Sequence, residues 1–473
     1  MENTSNQALT PISPDQRVFD ARSHASLWFS LGVGLLVMQV GAYLVPAVGT
    51  QDAVWAILLG SVLGAGLLAW TARIGCVSGL SSAGLMHTVY GPSMARLPVL
   101  LNILQLIGWT SFELVVMRDG TAAILKQAWG LDPASPLTLV LTTALWGGVL
   151  MALMAGSMLG LVRGFVSRWG LPLVVLSLLW LTWHFVGVAQ AKGWEAIWNR
   201  PGAGGMSPIN ALDLVIAMPV SWLPLVADYA RHGRSTRSTL GGTWLGYALA
   251  NVWCYALGVL VVSVVEPGTD LVGALLLAQG GLLALGLILL DELDNAYGDV
   301  YSGALSAHSL RPQTPLKRYG LWGAALCTVL AMALPMHSLE PFLLMLSSVF
   351  VPLFGVIMGR LGWGHHANNM SPKGIDGTST LLWLARIGLY HALATRAPAW
   401  GRVIMGRLGW GYHAHNTSPK GIDGSSTLLW LAGIGLYHAL ATWAPAWGSA
   451  LPTLAATVAA GWLTRPGAAL KGA

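Results

Sequence analysis

The feature that most constrains this chain is a recurrence of apolar runs about 20 residues long, each able to cross a ~30 Å hydrocarbon layer as a helix. Ten such runs fall near 26–48, 53–73, 98–117, 136–158, 170–190, 207–226, 240–265, 275–304, 320–336 and 339–358. Of the 473 residues, 55% are hydrophobic and 9% charged, too few charges to cover a water-facing surface, so a soluble enzyme is excluded. Inside a bilayer each backbone polar group must be satisfied within its own segment, which makes these runs helices. The expected fold class is an all-α polytopic membrane protein.

The net charge of +6 comes from Lys and Arg scattered singly between apolar runs, so it reports orientation rather than a nucleic-acid partner. The connections on the N-terminal side carry Arg17, Arg22, Arg73, Arg96, Arg163, Arg168, Arg231, Arg234, Arg237, Arg311, Lys317 and Arg318. The opposite side carries only Arg118, Lys126, Lys192 and Arg200. Twelve against four places the N-terminus in the cytoplasm. The polar tail 1–25 has no short apolar core followed by a small-residue cleavage site and is expected to be retained. Cys76, Cys254 and Cys327 are far apart and read as packing residues.

After the ten-helix stretch 26–358 the sequence copies itself. Residues 356–401 reappear at 403–448 with 40 of 46 positions identical, which reads as a tandem duplication rather than a repeat array. Each copy offers one candidate span, near 378–400 and 425–447, but Arg386 and Arg396 of the first become Gly433 and Trp443 of the second. One Arg near a span's centre costs about 2.5–3.5 kcal/mol, as much as six Leu or Ile residues return. The second copy and a last span near 449–463 are therefore expected to complete about twelve crossings. The last two helices then occupy 425–463, a tail at 464–473 is cytoplasmic, and the first copy is re-entrant, interfacial or loosely packed. His365, His366, His413 and His415 lie in the duplicated loops without the Cys or carboxylate spacing that would complete a metal site.

Charges that remain inside spans normally face a cavity, a partner or a transported species. Gln105, Trp109 and Glu113 recur every four residues and share one helix face. The competing bland reading pairs Glu113 with Arg118 near the end of the span. Further on, Asp291, Asn295, Asp299 and Ser302 form an expected polar stripe flanked by Glu292 and Asp294, and four acids within nine residues repel unless protons, a cation or a cationic partner offset them. Gly32, Gly34, Gln39, Gly41 and Pro46 interrupt the first span; Pro219, Ser221, Trp222 and Pro224 interrupt the sixth. Two broken helices five spans apart point to a transporter built from inverted halves with its site at mid-membrane.

The segments LLNILQLIGWTSFE, SWLPLVADYARHGRS and DNAYGDVYSGALS resemble the third-, sixth- and eighth-helix signatures of the nucleobase:cation symporter family, the purine/cytosine permeases. GWTSFELVVMRDGT together with SWLPLVADY is most similar to its CytX branch of hydroxymethylpyrimidine transporters. The resemblance covers about 17–358 and resumes at 425–463. It implies two inverted five-helix repeats of the LeuT-like kind plus two C-terminal helices, with a flat heterocycle held between the broken first and sixth helices and the third and eighth. It implies stacking by Trp109 and Trp222, edge recognition by Glu113, and Asp299 in the place of a substrate-binding Asn, one turn after Asn295. Gln39 completes the expected substrate-binding set. Asp291, Glu292 and Asp294 are expected to take part in cation coupling. Family members with a described sodium site carry Ser or Thr hydroxyls where Glu292 and Leu293 stand here, so the coupling ion, Na+ or H+, stays open.

The expectation is a non-enzymatic secondary transporter of the bacterial inner membrane that imports a hydroxymethylpyrimidine- or cytosine-like heterocycle. Its partners are that small substrate and the lipid bilayer; it needs no cofactor beyond the coupling ion, and the sequence assigns no oligomeric state. The rivals are an intramembrane enzyme or a non-transporting sensor that uses the acidic cluster 291–299.

Overall fold

The computed structural model describes residues 7–156, 170–266, 268–333, 339–363 and 422–464. The first apolar run is two helices, α1 (Ala21–Ser30) and α2 (Leu35–Ala47), bent by 59° at a four-residue break. There follow α3 (Thr50–Ser78), the short α4 (Ser82–Tyr90), α5 (Arg96–Trp129), α6 (Pro136–Met154), α7 (Leu171–Lys192) and α8 (Trp194–Trp198). The sixth run is α9 (Pro208–Ser221) and α10 (Leu223–Ala230), joined at Trp222; α11 is Thr236–Val264. Next come α12 (Leu271–Leu277), α13 (Gly281–Leu310), α14 (Leu316–Ala333), α15 (Leu339–Leu361), α16 (Gly424–Trp443) and α17 (Ala450–Leu463).

Among the described residues, seven helices are long and apolar enough to cross a membrane, or eight when the bent α1–α2 pair is one span. The most buried apolar stretch belongs to α9–α10, at 83%, against 28% for α7. The α9–α10 span therefore sits at the centre and α7 on the rim, where Leu176 and Trp183 are exposed as a lipid-facing surface requires. Around the centre α1 and α2 pack on α11, α3 on α9 and α11, and α5 along α13. Small residues allow the close approaches: a Cβ on Gly60 would lie 2.6 Å from Val215 Cγ1 of α9.

Two expected boundaries change, and the expected interruption of the sixth span is no bend: α9 and α10 run on as one span, Pro208–Ala230, with Trp222 in helical conformation. The third span does not end near 117: α5 runs to Trp129, about 51 Å at 1.5 Å per residue, so Glu113 lies near its middle. Arg118 is then a buried helix residue rather than a loop charge and drops out of the outer-side count. The eighth run is split by a turn between α12 and α13. The second copy forms α16 and the last expected span forms α17; the first copy's expected span and the four loop histidines lie outside the described residues.

Candidate functional site

The site is built at the break between α1 and α2. Breaking the helix exposes the N–H groups at the start of α2, which carry the positive end of the helix dipole. Leu35 N–H donates to Glu292 Oε1 at 2.5 Å, so a carboxylate from α13 caps the half-helix. Gly34 makes this approach possible, since a Cβ there would lie 2.8 Å from the same oxygen. Asn295, one turn on, donates from Nδ2 to Val33 O at 3.2 Å and to Glu292 Oε2 at 3.3 Å. Its amide N–H groups are thus committed to the break, while Oδ1 has no partner.

A cavity with about 380 Å³ of empty space adjoins this break. Leu31, Gly34, Leu36 and Val37 line it from the first helix pair, and Trp109 and Glu113 from α5. Met218, Ser221 and Trp222 contribute from the sixth span at the α9–α10 junction, and Glu292, Asn295 and Asp299 from α13. The indoles are fixed by edge contacts: Trp109 meets Phe342 with ring centroids 5.2 Å apart, and Trp222 meets Trp28 at 6.2 Å. Glu113 Oε2, Asp299 Oδ2 and Asn295 Oδ1 are buried acceptors without a partner, and Trp109 Nε1 is a buried donor without one. Leaving such a group unpaired costs about 1–3 kcal/mol, so a ligand that pairs it recovers that amount.

Glu113 does not pair with Arg118, which bonds Asp119 Oδ1 at 2.6 Å and Ala331 O at 2.8 Å. Gln105 shares the face of Trp109 but lies deeper, donating to Asn102 Oδ1 at 2.9 Å. Asn102 in turn donates to Pro224 O and to Ser306 Oγ, both at 3.1 Å, and so ties α5 to α10 and α13 beneath the cavity. Sequence reasoning passed over Asn102, Leu36, Val37 and Met218; a polar side chain in the middle of an apolar run was the available signal for Asn102.

The structure places two of the expected residues away from this cavity. Gln39 is not among the cavity-lining residues: on α2 the lining positions are Leu36 and Val37, and Gln39 lies about 200° further round from Val37. Asp291 does not share the stripe of Asn295 and Asp299. Steps of four residues drift by about 40° each, and the face that meets the cavity is 292, 295 and 299. Asp291 and Asp294 line a separate cavity of about 960 Å³ with Ser30, Val149, Leu153, Leu173 and Val174. There Ser30 Oγ donates to Asp291 Oδ1 at 2.8 Å, while Asp291 Oδ2 and both Asp294 oxygens are unpartnered. The expected coupling trio is therefore divided, with Glu292 on the first cavity and the two aspartates on the second. Among the described residues no group of three or more His, Cys, Asp or Glu is arranged to hold a metal ion.

Residues 11–366 match the model of the family described as permeases for cytosine/purines, uracil, thiamine and allantoin. The chain belongs to this permease family. No curated protein matches it. Among solved structures the permease is similar to Mhp1, a nucleobase-cation-symport-1 transporter, in a closed conformation with bromovinylhydantoin bound. The TM-score is 0.71 and identity 14%, covering 98% of this chain and 94% of that one. The inward-facing conformation of Mhp1 gives 0.69 at 13% identity over 96% and 91%. A sodium-coupled sialic acid symporter gives 0.57 at 13% over 94% and 93%. At these identities the likeness establishes the shared fold. Its family is one of permeases and its apolar helices are of membrane-spanning length, so the chain is a multi-pass membrane permease.

Proposed function

We propose that this permease imports a flat, amino-bearing heterocycle of the hydroxymethylpyrimidine or cytosine type by cation-coupled alternating access, as in the CytX branch. The observation that carries the reading is the content of the 380 Å³ cavity: two indoles and three unpartnered acceptors against one unpartnered donor. A substrate that complements this set is aromatic and rich in N–H. Trp109 and Trp222 stack on its faces, at about 0.5–1.5 kcal/mol per pair beyond area burial. Glu113, Asp299 and Asn295 Oδ1 accept its ring and amino hydrogens.

Glu292 joins substrate to coupling because it touches both the cavity and the α2 N-terminus. Asp291 and Asp294 form the second acidic station, tied to the first half-helix through Ser30. Their charge is offset by a proton or a sodium ion during the cycle. The chain has twelve spans in two inverted five-helix repeats plus two helices, with both termini in the cytoplasm of a bacterial inner membrane.

The test is uptake of labelled cytosine and hydroxymethylpyrimidine into proteoliposomes, with a panel of unlabelled heterocycles as competitors. Amino-pyrimidines are expected to compete best and uracil poorly. Strong competition by uracil with none by aminopyrimidines contradicts the acceptor-rich site. Uptake driven by a pH jump without sodium, and lost in Glu292→Gln, identifies the proton; strict sodium dependence with indifference to pH identifies sodium.

A further inference from the structure

The duplicated segments differ at six of 46 positions, so either could in principle supply the helix that packs beside α15 and α17. The slot is well defined. Asp423 caps α16 through Ser426 N–H and binds Arg360 of α15 at 3.0 Å, while Arg360 Nη2 donates to Ser425 Oγ at 2.6 Å. Trp430 Nε1 donates to Val349 O at 2.9 Å, and its ring meets Tyr90 at 5.8 Å. At the corresponding first-copy positions the sequence has Asp376, Thr378, Ser379 and Trp383, which offer the same caps, hydroxyls and indole.

Ser425 against Thr378 keeps the hydroxyl, so one buried slot position separates the copies in size and charge. Gly433 lies where a Cβ would collide with Pro352 Cβ of α15 and come within 2.7 Å of Thr457 Cγ2 of α17. The first copy has Arg386 there. We infer that Gly433 is the residue that selects the second copy for this slot, and that the first copy is excluded by Arg386 and is dispensable for the folded transporter. The inference is independent of the substrate assignment, because it concerns only how the last two helices dock.

Two excisions test it, each leaving a seamless single-copy chain. Removal of 364–410 keeps only the second copy; removal of 402–448 keeps only the first. In detergent the second-copy chain is expected to be monodisperse and to melt with the full-length protein. The first-copy chain is expected to aggregate or to melt lower by on the order of 5 °C or more. Adding Arg386→Gly to it restores the full-length behaviour, whereas Arg386→Leu, which removes the charge but keeps a side chain against Pro352, does not. Arg396→Trp, at a position exposed in the second copy as Trp443, gives no rescue either. Equal stability of the two single-copy chains, or rescue by Leu as complete as by Gly, overturns the inference. So does loss of folding in the second-copy chain, which would show that the first copy is required.

Discussion

The two faces of α13 carry acids in opposite company. Toward α1, α2 and α5, Glu292, Asn295 and Asp299 meet two indoles, a helix N-terminus and a third carboxylate across a narrow cavity. Toward α6 and α7, Asp291 and Asp294 meet one hydroxyl, Ser30, and otherwise Leu, Val and Gly around a space more than twice as large. The first environment has shape, stacking surfaces and several directed acceptors, which are what recognition of a flat molecule needs. The second has charge and little to orient a substrate, which suits a group that is neutralised and released. Adjacent residues on one helix can thus serve different tasks because each position turns the side chain by about 100°.

The largest expected effect is on recognition. Asp299→Ala removes an acceptor from the narrow cavity and is expected to weaken substrate binding by roughly 30–150-fold, about 2–3 kcal/mol for a charge-assisted hydrogen bond. Asp291→Asn, one face away, is expected to leave binding within about twofold while abolishing accumulation against a gradient. Similar loss of affinity in both variants would erase the distinction between the faces. Trp109→Ala is expected to cost about tenfold in affinity through lost stacking and burial, measured by equilibrium binding to purified protein. Ser30→Ala removes the hydroxyl on Asp291 and is expected to shift the coupling-ion dependence of transport by roughly 3–10-fold, about 1 kcal/mol, with substrate affinity unchanged.

Away from both faces, Asp423 supplies a control. Burial pushes its carboxyl up, but the Arg360 guanidinium and the Ser426 and Ser425 donors outweigh that and hold it below the usual carboxylate range. A lowered folded-state value means its stabilisation is complete above the ordinary carboxylate range and is lost as pH falls through the folded value. Melting temperature is therefore expected to drop on acidification below about pH 4. Asp423→Asn is expected to flatten that part of the profile without altering the substrate affinity measured at neutral pH.

Much of this was legible in the sequence. Trp109, Glu113, Trp222, Asn295 and Asp299 line one cavity although they come from three separate runs. Glu113, Asn295 and Asp299 could be singled out because such groups are expensive at membrane depth, Trp109 because it shares a helix face with Glu113, and Trp222 because it stands between Pro219 and Pro224. The break of the first helix was announced by Gly34, whereas Pro219 and Pro224 announced a break that the continuous span Pro208–Ala230 does not show. What was not legible was rotation and length. Counting by fours put Asp291 on the face of Asn295 and Asp299, whereas the drift of about 40° per four-residue step adds up to about 80° between Asp291 and Asp299. The apolar run around Glu113 ended before its helix did, since α5 continues through Arg118, Asp119 and Lys126 to Trp129. The partner of Glu292, a backbone N–H from a helix 257 positions earlier, has no sequence signature at all.

The measurement that bears most directly on the account is a double-mutant binding cycle. Equilibrium affinity for labelled cytosine or hydroxymethylpyrimidine would be compared in the wild type, Trp109→Ala, Asp299→Asn and the double variant. If both groups hold one ligand in one cavity, each single variant binds at least several-fold more weakly and the two losses are coupled by more than about 0.5 kcal/mol. Wild-type affinity in both single variants would contradict the account.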